Sequence, residues 1–147
     1  MSMATVLIVE PDTEARLSLA RTLYRAGHIV IGRLGVSQVS GLDLEQLVDL
    51  VMIGAGIPSI RRVELLRSLS EDPLTTAIPV VVMGVTDDYG DAATACAFGA
   101  ADYICQTLCQ EEIALRVNQA LHAAAQADRN WLAHAMRAAT NVSSPPL

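Results

Sequence analysis

Residues 5–12 read Thr-Val-Leu-Ile-Val-Glu-Pro-Asp, a β-branched and apolar run that ends abruptly in an acid and a proline. A continuous run of this kind is typical of a strand that is buried on both faces, as in a parallel sheet. Directly after it, Asp12 or Thr13 can cap a helix that extends to about Ala26, and Gly27 is a natural stop. A buried strand followed at once by a capped helix predicts the first unit of an alternating β/α chain.

The same alternation continues to the end of the chain. The strands are predicted at residues 5–9, 28–33, 48–53, 78–83 and 101–104. The helices are predicted at residues 13–26, 42–47 (a weak segment), 59–70 with Ser59 as its cap, from Asp87 or Asp88 to Phe98 before Gly99, and 110–140. The side chains expected to face inward are Leu17, Ala20, Leu23 and Tyr24 on the first helix, and Val63, Leu66 and Leu69 on the third. Five strands alternating with five helices predict a doubly wound parallel α/β sheet with right-handed crossovers.

Composition limits the kind of partner. The formal net charge is −6 and the ten basic residues are all arginine, which argues against a nucleic-acid surface. The apolar runs are too short to span a bilayer and the first residues do not resemble a secretory signal, so we expect no membrane partner. Cys96, Cys105 and Cys109 lack metal-ligand pairing, and we expect plain thiols in a reducing cytoplasm.

In a doubly wound sheet, the functional crevice lies at the carboxyl ends of the strands. The residues that directly follow or end the strands here are Glu10, Pro11, Gly54, Gly84, Val85, Cys105 and Gln106. Glu10 is the one ionisable group of that set apart from the cysteine thiol, so the crevice is poorly equipped for chemistry. No nucleophile, base or cofactor motif indicates an enzyme, and we expect no cofactor.

Four stretches together resemble the receiver domain of bacterial response regulators, over roughly residues 4–126. They are VLIVEPD (6–12), DLVMIGAGIP (49–58), IPVVVMGV (78–85) and FGAADYICQTL (98–108). The resemblance implies a flavodoxin-like (βα)5 fold with strand order 2-1-3-4-5. It also implies a place in two-component signal transduction.

The resemblance implies five positions for phosphotransfer, and four of them depart from the family. Glu10 keeps one of the two acids that hold Mg²⁺, but its neighbour is Pro11. The phosphoacceptor position is Gly54, the position of the switch hydroxyl is Gly84, and the lysine position is Gln106. Since the chain has no lysine at all, a shifted alignment cannot restore that group. We therefore expect a pseudo-receiver that signals by binding.

The family's output surface, formed by the alanine-rich helix, the fifth strand and the last helix, is a first candidate for an interaction surface. Tyr103 matches an aromatic that moves between exposed and buried rotamers, although a half-buried tyrosine with its hydroxyl in water also fits. Asp102 and Arg116 match positions that form ion pairs across a homodimer in one subfamily. A local pair between Glu112 and Arg116, one helical turn apart, is the alternative.

The last helix is a second candidate. Its apolar residues recur at steps of four and three, at Ile113, Val117, Ala120, Ala124, Ala127 and Trp131. Beyond about residue 126 it should extend past the domain, yet it still carries Trp131 and Leu132. We expect residues 1–126 to form the receiver-like domain, 127–140 a helical extension, and 141–147 a disordered tail or linker. The extension either pairs with a second copy or leads to an output domain, unless it is a frayed end.

The crevice, the histidines and an acidic segment each allow a further interpretation. The crevice emptied of its acid can admit a small ligand, which makes a ligand-sensing domain the alternative function. The histidines His28, His122 and His134 are scattered, so no metal site is predicted. The acidic segment from Asp87 to Asp91 is most simply a solvated helix start.

Overall fold

The computed structural model describes residues 3–39, 48–85 and 88–143, with side chains to residue 140. Its strands are β1 (Thr5–Val9), β2 (Ile29–Arg33), β3 (Leu50–Ile53), β4 (Val80–Gly84) and β5 (Asp102–Cys105). The helices among the described residues are α1 (Thr13–Arg25), α2 (Ser59–Glu71), α3 (Tyr89–Ala97) and α4 (Gln110–Ser143), with a single 3-10 turn at Val36–Gln38. The weak helix predicted at 42–47 lies outside the described residues.

The five strands form one parallel sheet in the order β2-β1-β3-β4-β5. This confirms the predicted doubly wound, flavodoxin-like architecture. Alternate residues of each strand point to opposite faces, so the sheet separates two apolar cores. On β1, Leu7 belongs to the core under α2 and α3, whereas Ile8 belongs to the core under α1 and α4.

Local signals set the ends of several helices. The Asp12 carboxylate caps α1 by accepting from Ala15 N at 2.8 Å, and Asp88 caps α3 by accepting from Asp91 N at 3.1 Å. Gly27 and Gly99 follow α1 and α3 with φ of +94° and +103°, a conformation that suits glycine. The ends of these two helices are confirmed to within two residues.

Other details differ from the predictions. On α1, Leu17 and Tyr24 are exposed, and Leu19 and Thr22 take their places beside Leu23 in the interior. The inward face is therefore rotated from the predicted one, and it packs against the sheet and α4, contacts that a helical repeat alone does not reveal.

The third predicted helix also differs in its cap and its inward face. Ser59 is the first residue of α2 rather than its cap, and its hydroxyl accepts from Arg62. Arg62 and Leu65 are buried with Leu66 and Leu69, while Val63 is only half-buried.

The last helix is longer than predicted. It has 34 residues and continues to Ser143, so Asn141–Ser143 belong to the helix rather than to a disordered tail. At 1.5 Å per residue it is about 51 Å long. None of the helices described is both long enough and apolar enough to cross a membrane.

Candidate functional site

The carboxyl ends of the strands bring the five positions that the resemblance implies for phosphotransfer to one edge of the sheet. Gly54 N donates to Val9 O at 2.8 Å, which holds the ends of β3 and β1 together. Gln106 N donates to Gly84 O at 2.8 Å and does the same for β5 and β4. Glu10 and Pro11 follow β1 in the middle of this edge. The predicted positions therefore lie together in one crevice at this edge of the sheet.

Glu10 fills the space beside Gly54. Its side chain is only 2% exposed, and its carboxylate accepts from Gly56 N at 3.0 Å and from Asp12 N at 3.1 Å. A Cβ placed on Gly54 would lie 2.6 Å from Glu10 Oε1 and 2.8 Å from Glu10 Cβ. The missing side chain at Gly54 thus leaves no hole, because the glutamate lies where that side chain would begin.

Tyr103 fills the corresponding space beside Gly84. A Cβ on Gly84 would lie 2.7 Å from Tyr103 Cε1 and would overlap the end of the ring that carries the hydroxyl. That hydroxyl donates to Asp91 Oδ2 at 2.7 Å, so it is not simply in water. Burial, this hydrogen bond and the negative charge of Asp91 raise the pKa of Tyr103 to about 12, against a lowering influence of Arg62. The tyrosine is held inward over the glycine.

A largely buried arginine completes this arrangement. Arg62 is 8% exposed; it donates to Met83 O at 3.0 Å and to both oxygens of Asp91, at 3.0 and 3.1 Å. It also donates to Ser59 Oγ at 2.8 Å. These contacts connect α2, the end of β4, α3 and, through Tyr103, β5. Such a network is rigid because every described buried side-chain polar atom has a partner.

The sequence pattern assigns no role to Arg62 or to its partner. Asp91 is not a solvated residue at a helix start, as the acidic segment suggested, since its carboxylate pairs with Arg62 and Tyr103. A signal for Arg62 does exist in the sequence. It precedes Leu65, Leu66 and Leu69 at helical spacing, which puts an arginine on the apolar stripe of α2.

One cavity lies within the described part of the crevice. It measures about 120 Å³ and lies between α1 and the start of α4, with Glu10, Met83 and Gln106 in its wall. Ligand pockets usually measure roughly 300–1,000 Å³. This cavity is smaller than such a pocket and gives the ligand-sensing alternative no support.

Metal binding at this edge is likewise disfavoured by the roles of the two nearby acids. Glu10 accepts two backbone N–H groups and Asp12 caps α1. No cluster of potential metal ligands occurs among the described residues. His28 is buried away from the crevice. Its Nδ1 accepts from Ala4 N at 3.2 Å, and its Nε2 donates to Asn118 Oδ1 at 2.7 Å.

The predicted ion-pair residues of the output surface meet within one chain. Arg116 Nε donates to Asp102 Oδ2 at 2.8 Å, and its terminal nitrogen donates to Asp102 Oδ1 at 2.5 Å and to Tyr103 O at 3.2 Å. Glu112 lies half-buried one turn before Arg116. An ion pair across a homodimer would have to compete with this bidentate pair, so it stays a prediction.

Trp131 and Leu132 lie far along α4, away from the crevice. Since α4 starts at the carboxyl edge of the sheet, it leaves the domain at the opposite, amino-terminal edge, where Asp128 and Arg129 line the same groove as Met3 and Pro79. The last deeply buried residue of α4 is Ala120. Trp131 is 71% exposed, and Leu132 and Met136 are also exposed.

The chain is similar in sequence to two proteins of Pseudomonas aeruginosa. The phosphate regulon transcriptional regulatory protein PhoB of Pseudomonas aeruginosa is 26% identical over 117 residues, which is 80% of this chain. Protein PilH of the same organism is 26% identical over 119 residues, which is 81% of this chain. The chain spans 51% of the length of PhoB and 98% of that of PilH. No family model matches the chain.

A solved structure shares the architecture closely. The crystal structure of a putative response regulator from Chloroflexus aurantiacus superposes with a TM-score of 0.76 at 23% identity, covering 82% of this chain and 99% of that one. At this identity the superposition establishes the fold alone. The chain is therefore similar in sequence to a transcriptional regulatory protein and to PilH, and similar in fold to a response regulator.

Proposed function

We propose that the chain is a pseudo-receiver, a receiver-like domain that acts in two-component signalling by binding and not by phosphotransfer. The observation that carries the proposal is that two of its own side chains fill the places where phosphotransfer groups would stand. Glu10 lies against Gly54, and Tyr103 lies against Gly84. The chain thus combines the absence of these groups with a packed replacement for each.

The packing also bears on the output surface. In the receiver family, to which the resemblance points, the aromatic at this position moves between exposed and buried rotamers. Here Tyr103 donates to Asp91, which is itself paired with the largely buried Arg62. This supports a domain that keeps its output surface in one arrangement without a phosphoryl group, as an interaction module requires.

The partners follow from the surfaces that remain. We propose a cytoplasmic module that meets a second copy, a C-terminal output domain or a partner signalling protein. It does so through the surface around Asp102, Tyr103, Glu112 and Arg116 or through the exposed Trp131 and Leu132. The receiver-like body ends near residue 126 in this proposal, and residues 127–140 form the helical extension.

The test is exposure of the whole chain to acetyl phosphate with Mg²⁺, and separately to beryllofluoride. We expect no covalent adduct by intact-mass spectrometry and no change in sedimentation or in tyrosine absorbance. A phosphorylatable receiver treated in parallel provides the positive control. A phosphoryl adduct on this chain, or a change of oligomeric state with beryllofluoride, would overturn the proposal.

A further inference from the structure

A groove of about 620 Å³ lies at the amino-terminal edge of the sheet, on the side where α4 leaves the domain. Its apolar wall consists of Met3, Val48, Ile78, Pro79, Leu121 and Ala125. Asp128 and Arg129 stand at the rim, where the body of the domain ends. The groove thus adjoins the exposed part of α4 that begins at residue 127, which we call the overhang (residues 127–140).

The overhang continues the helix face that forms the groove. Residues seven apart lie on nearly the same side of a helix. Trp131 is therefore aligned with Ala124, and Leu132 with Ala125, and both alanines border the groove. One face of α4 therefore carries small residues beside the groove and large, exposed residues on the overhang.

We propose that this groove receives the overhang of a second copy of the chain, with the two α4 helices antiparallel and crossing at Asp128. This deepens the proposed function by naming the partner and its orientation, and it rests on that function. A twofold axis at Asp128 places Trp131 opposite Ala125, Leu132 opposite Ala124, and Ala135 opposite Leu121 of the other copy. Each of these pairs joins one large side chain to one alanine, as close packing of helices requires.

A parallel pair in register fits less well. It would put Trp131 against Trp131 and Ala124 against Ala124, so that bulky contacts alternate with gaps. It would also leave the groove uncovered. Trp131 itself can bury on the order of 150–250 Å², while a stable interface buries about 800 Å² on each partner. The overhang reaches that size only if it also covers a surface such as the groove.

In this register the Asp128 side chains of the two copies lie opposite each other at the axis. Arg129 is the neighbouring residue and is the cation available to pair with Asp128 of the other copy. Arg129 is recorded donating to Gln126 on its own helix at 2.7 Å, so its side chain already lies along the surface near the axis. Two carboxylates and two guanidinium groups around a twofold axis can alternate in sign, and such complementarity fixes the register of an interface.

Disulfide trapping between differently tagged copies tests the orientation. Cys96, Cys105 and Cys109 are first replaced by serine in the full chain, and Ala124→Cys or Leu132→Cys is then introduced singly. We expect mild oxidation to link most of the Ala124→Cys copies to Leu132→Cys copies when the two are mixed. Leu132→Cys alone should remain unlinked. Efficient linkage of Leu132→Cys to itself would overturn the antiparallel arrangement in favour of a parallel one.

Fluorescence and sedimentation test whether a second copy of the chain occupies the groove. Trp131 is the chain's one tryptophan, so the emission reports on the overhang. Concentrating the protein should shift its emission to shorter wavelength in step with dimer formation. Ala124→Glu should weaken dimerisation at least about tenfold, corresponding to roughly 1.4 kcal/mol. Ala133→Glu, on the opposite side of the helix, is the matched control and should have no effect.

A chain that stays monomeric at all concentrations, with unchanged emission, would overturn the second-copy proposal. That result is distinguishable from failure of the proposed function, since a monomer that is inert to acetyl phosphate still behaves as a pseudo-receiver. Conversely, a phosphorylated chain that forms the antiparallel disulfide would reject the pseudo-receiver and retain the groove as the dimer interface.

Discussion

The crevice and the overhang differ in the contacts of their side chains, which are packed and hydrogen-bonded in the crevice and exposed on the overhang. In the crevice, Glu10 and Tyr103 fill the space beside two glycines, and their polar atoms are all hydrogen-bonded. On the overhang, Trp131 and its apolar neighbours are exposed. Filled space with satisfied polar groups needs no ligand, whereas exposed apolar surface gains free energy when it is covered. The difference supports the proposal that binding occurs at the helix, and substitutions at the two regions should behave differently.

The largest effect is expected from Arg62→Met. It would leave Asp91 partly buried without its cation and Met83 O without a donor, which should lower the free energy of unfolding by about 3 kcal/mol. The neighbouring Arg61→Met is the matched control, because Arg61 pairs with Glu64 at the surface and should cost less than about 1 kcal/mol. Urea denaturation of both variants measures this. Equal losses would mean that the network contributes nothing particular to stability.

A glycine-to-alanine series probes the filled spaces. Gly84→Ala should cost the most, about 1–3 kcal/mol, because its Cβ overlaps the Tyr103 ring, and Gly54→Ala should follow because it crowds Glu10. Gly35→Ala is the control, since nothing lies within 4 Å of its Cβ and its φ is −163°. It should be neutral or slightly stabilising. Unfolding free energies of equal size in all three variants would contradict the packing described here.

A smaller effect should appear as a dependence on alkaline pH. Tyr103 in the folded chain has a pKa of about 12, above the ordinary 10.0 that applies when the chain is unfolded. Between these values the unfolded chain loses a proton that the folded chain keeps, so stability is fully present below pH 10 and falls as pH rises toward 12. Comparing the stability of the natural chain with that of Tyr103→Phe across this window isolates the effect. Parallel pH profiles for the two proteins would refute it.

The smallest effect on stability is expected at the overhang. Trp131→Ser should change the unfolding free energy of the dilute chain by less than about 0.5 kcal/mol, because the side chain is mostly exposed. The same substitution should reduce self-association strongly in sedimentation velocity runs. A large loss of stability in dilute solution would show that the overhang belongs to the folded body, and the contrast between the two regions would disappear.

Local sequence signals predicted much of the fold. The run at residues 5–9, the Asp12 cap and Gly99 act through contacts between near neighbours, and the structure has all three. The inward face of α1 was harder to predict, because Leu17 and Leu19 are both apolar and only the packing of the helix in the folded chain separates them. The predicted crevice positions lie at the ends of the strands, but the packing of the side chains around them could not be predicted from the sequence.

That limit has a physical reason. Glu10 and Gly54 are 44 residues apart, and Tyr103 and Gly84 are 19 apart, so their contact depends on the assembled sheet and not on any local pattern. A glycine where a family has a functional side chain predicts an empty site. Whether a neighbour has moved in depends on rotamers and on partners such as Asp91 and Arg62, which lie on other elements.

The fit of Tyr103 against Gly84 bears on how a phosphorylatable site could be restored. A threonine at position 84 would overlap the Tyr103 ring in its present rotamer, so the ring would have to turn outward and give up its hydrogen bond to Asp91. An aspartate at position 54 would crowd Glu10, whose side chain would have to shift. Restoring either group therefore costs the rearrangement of a neighbouring side chain in addition to the substitution itself.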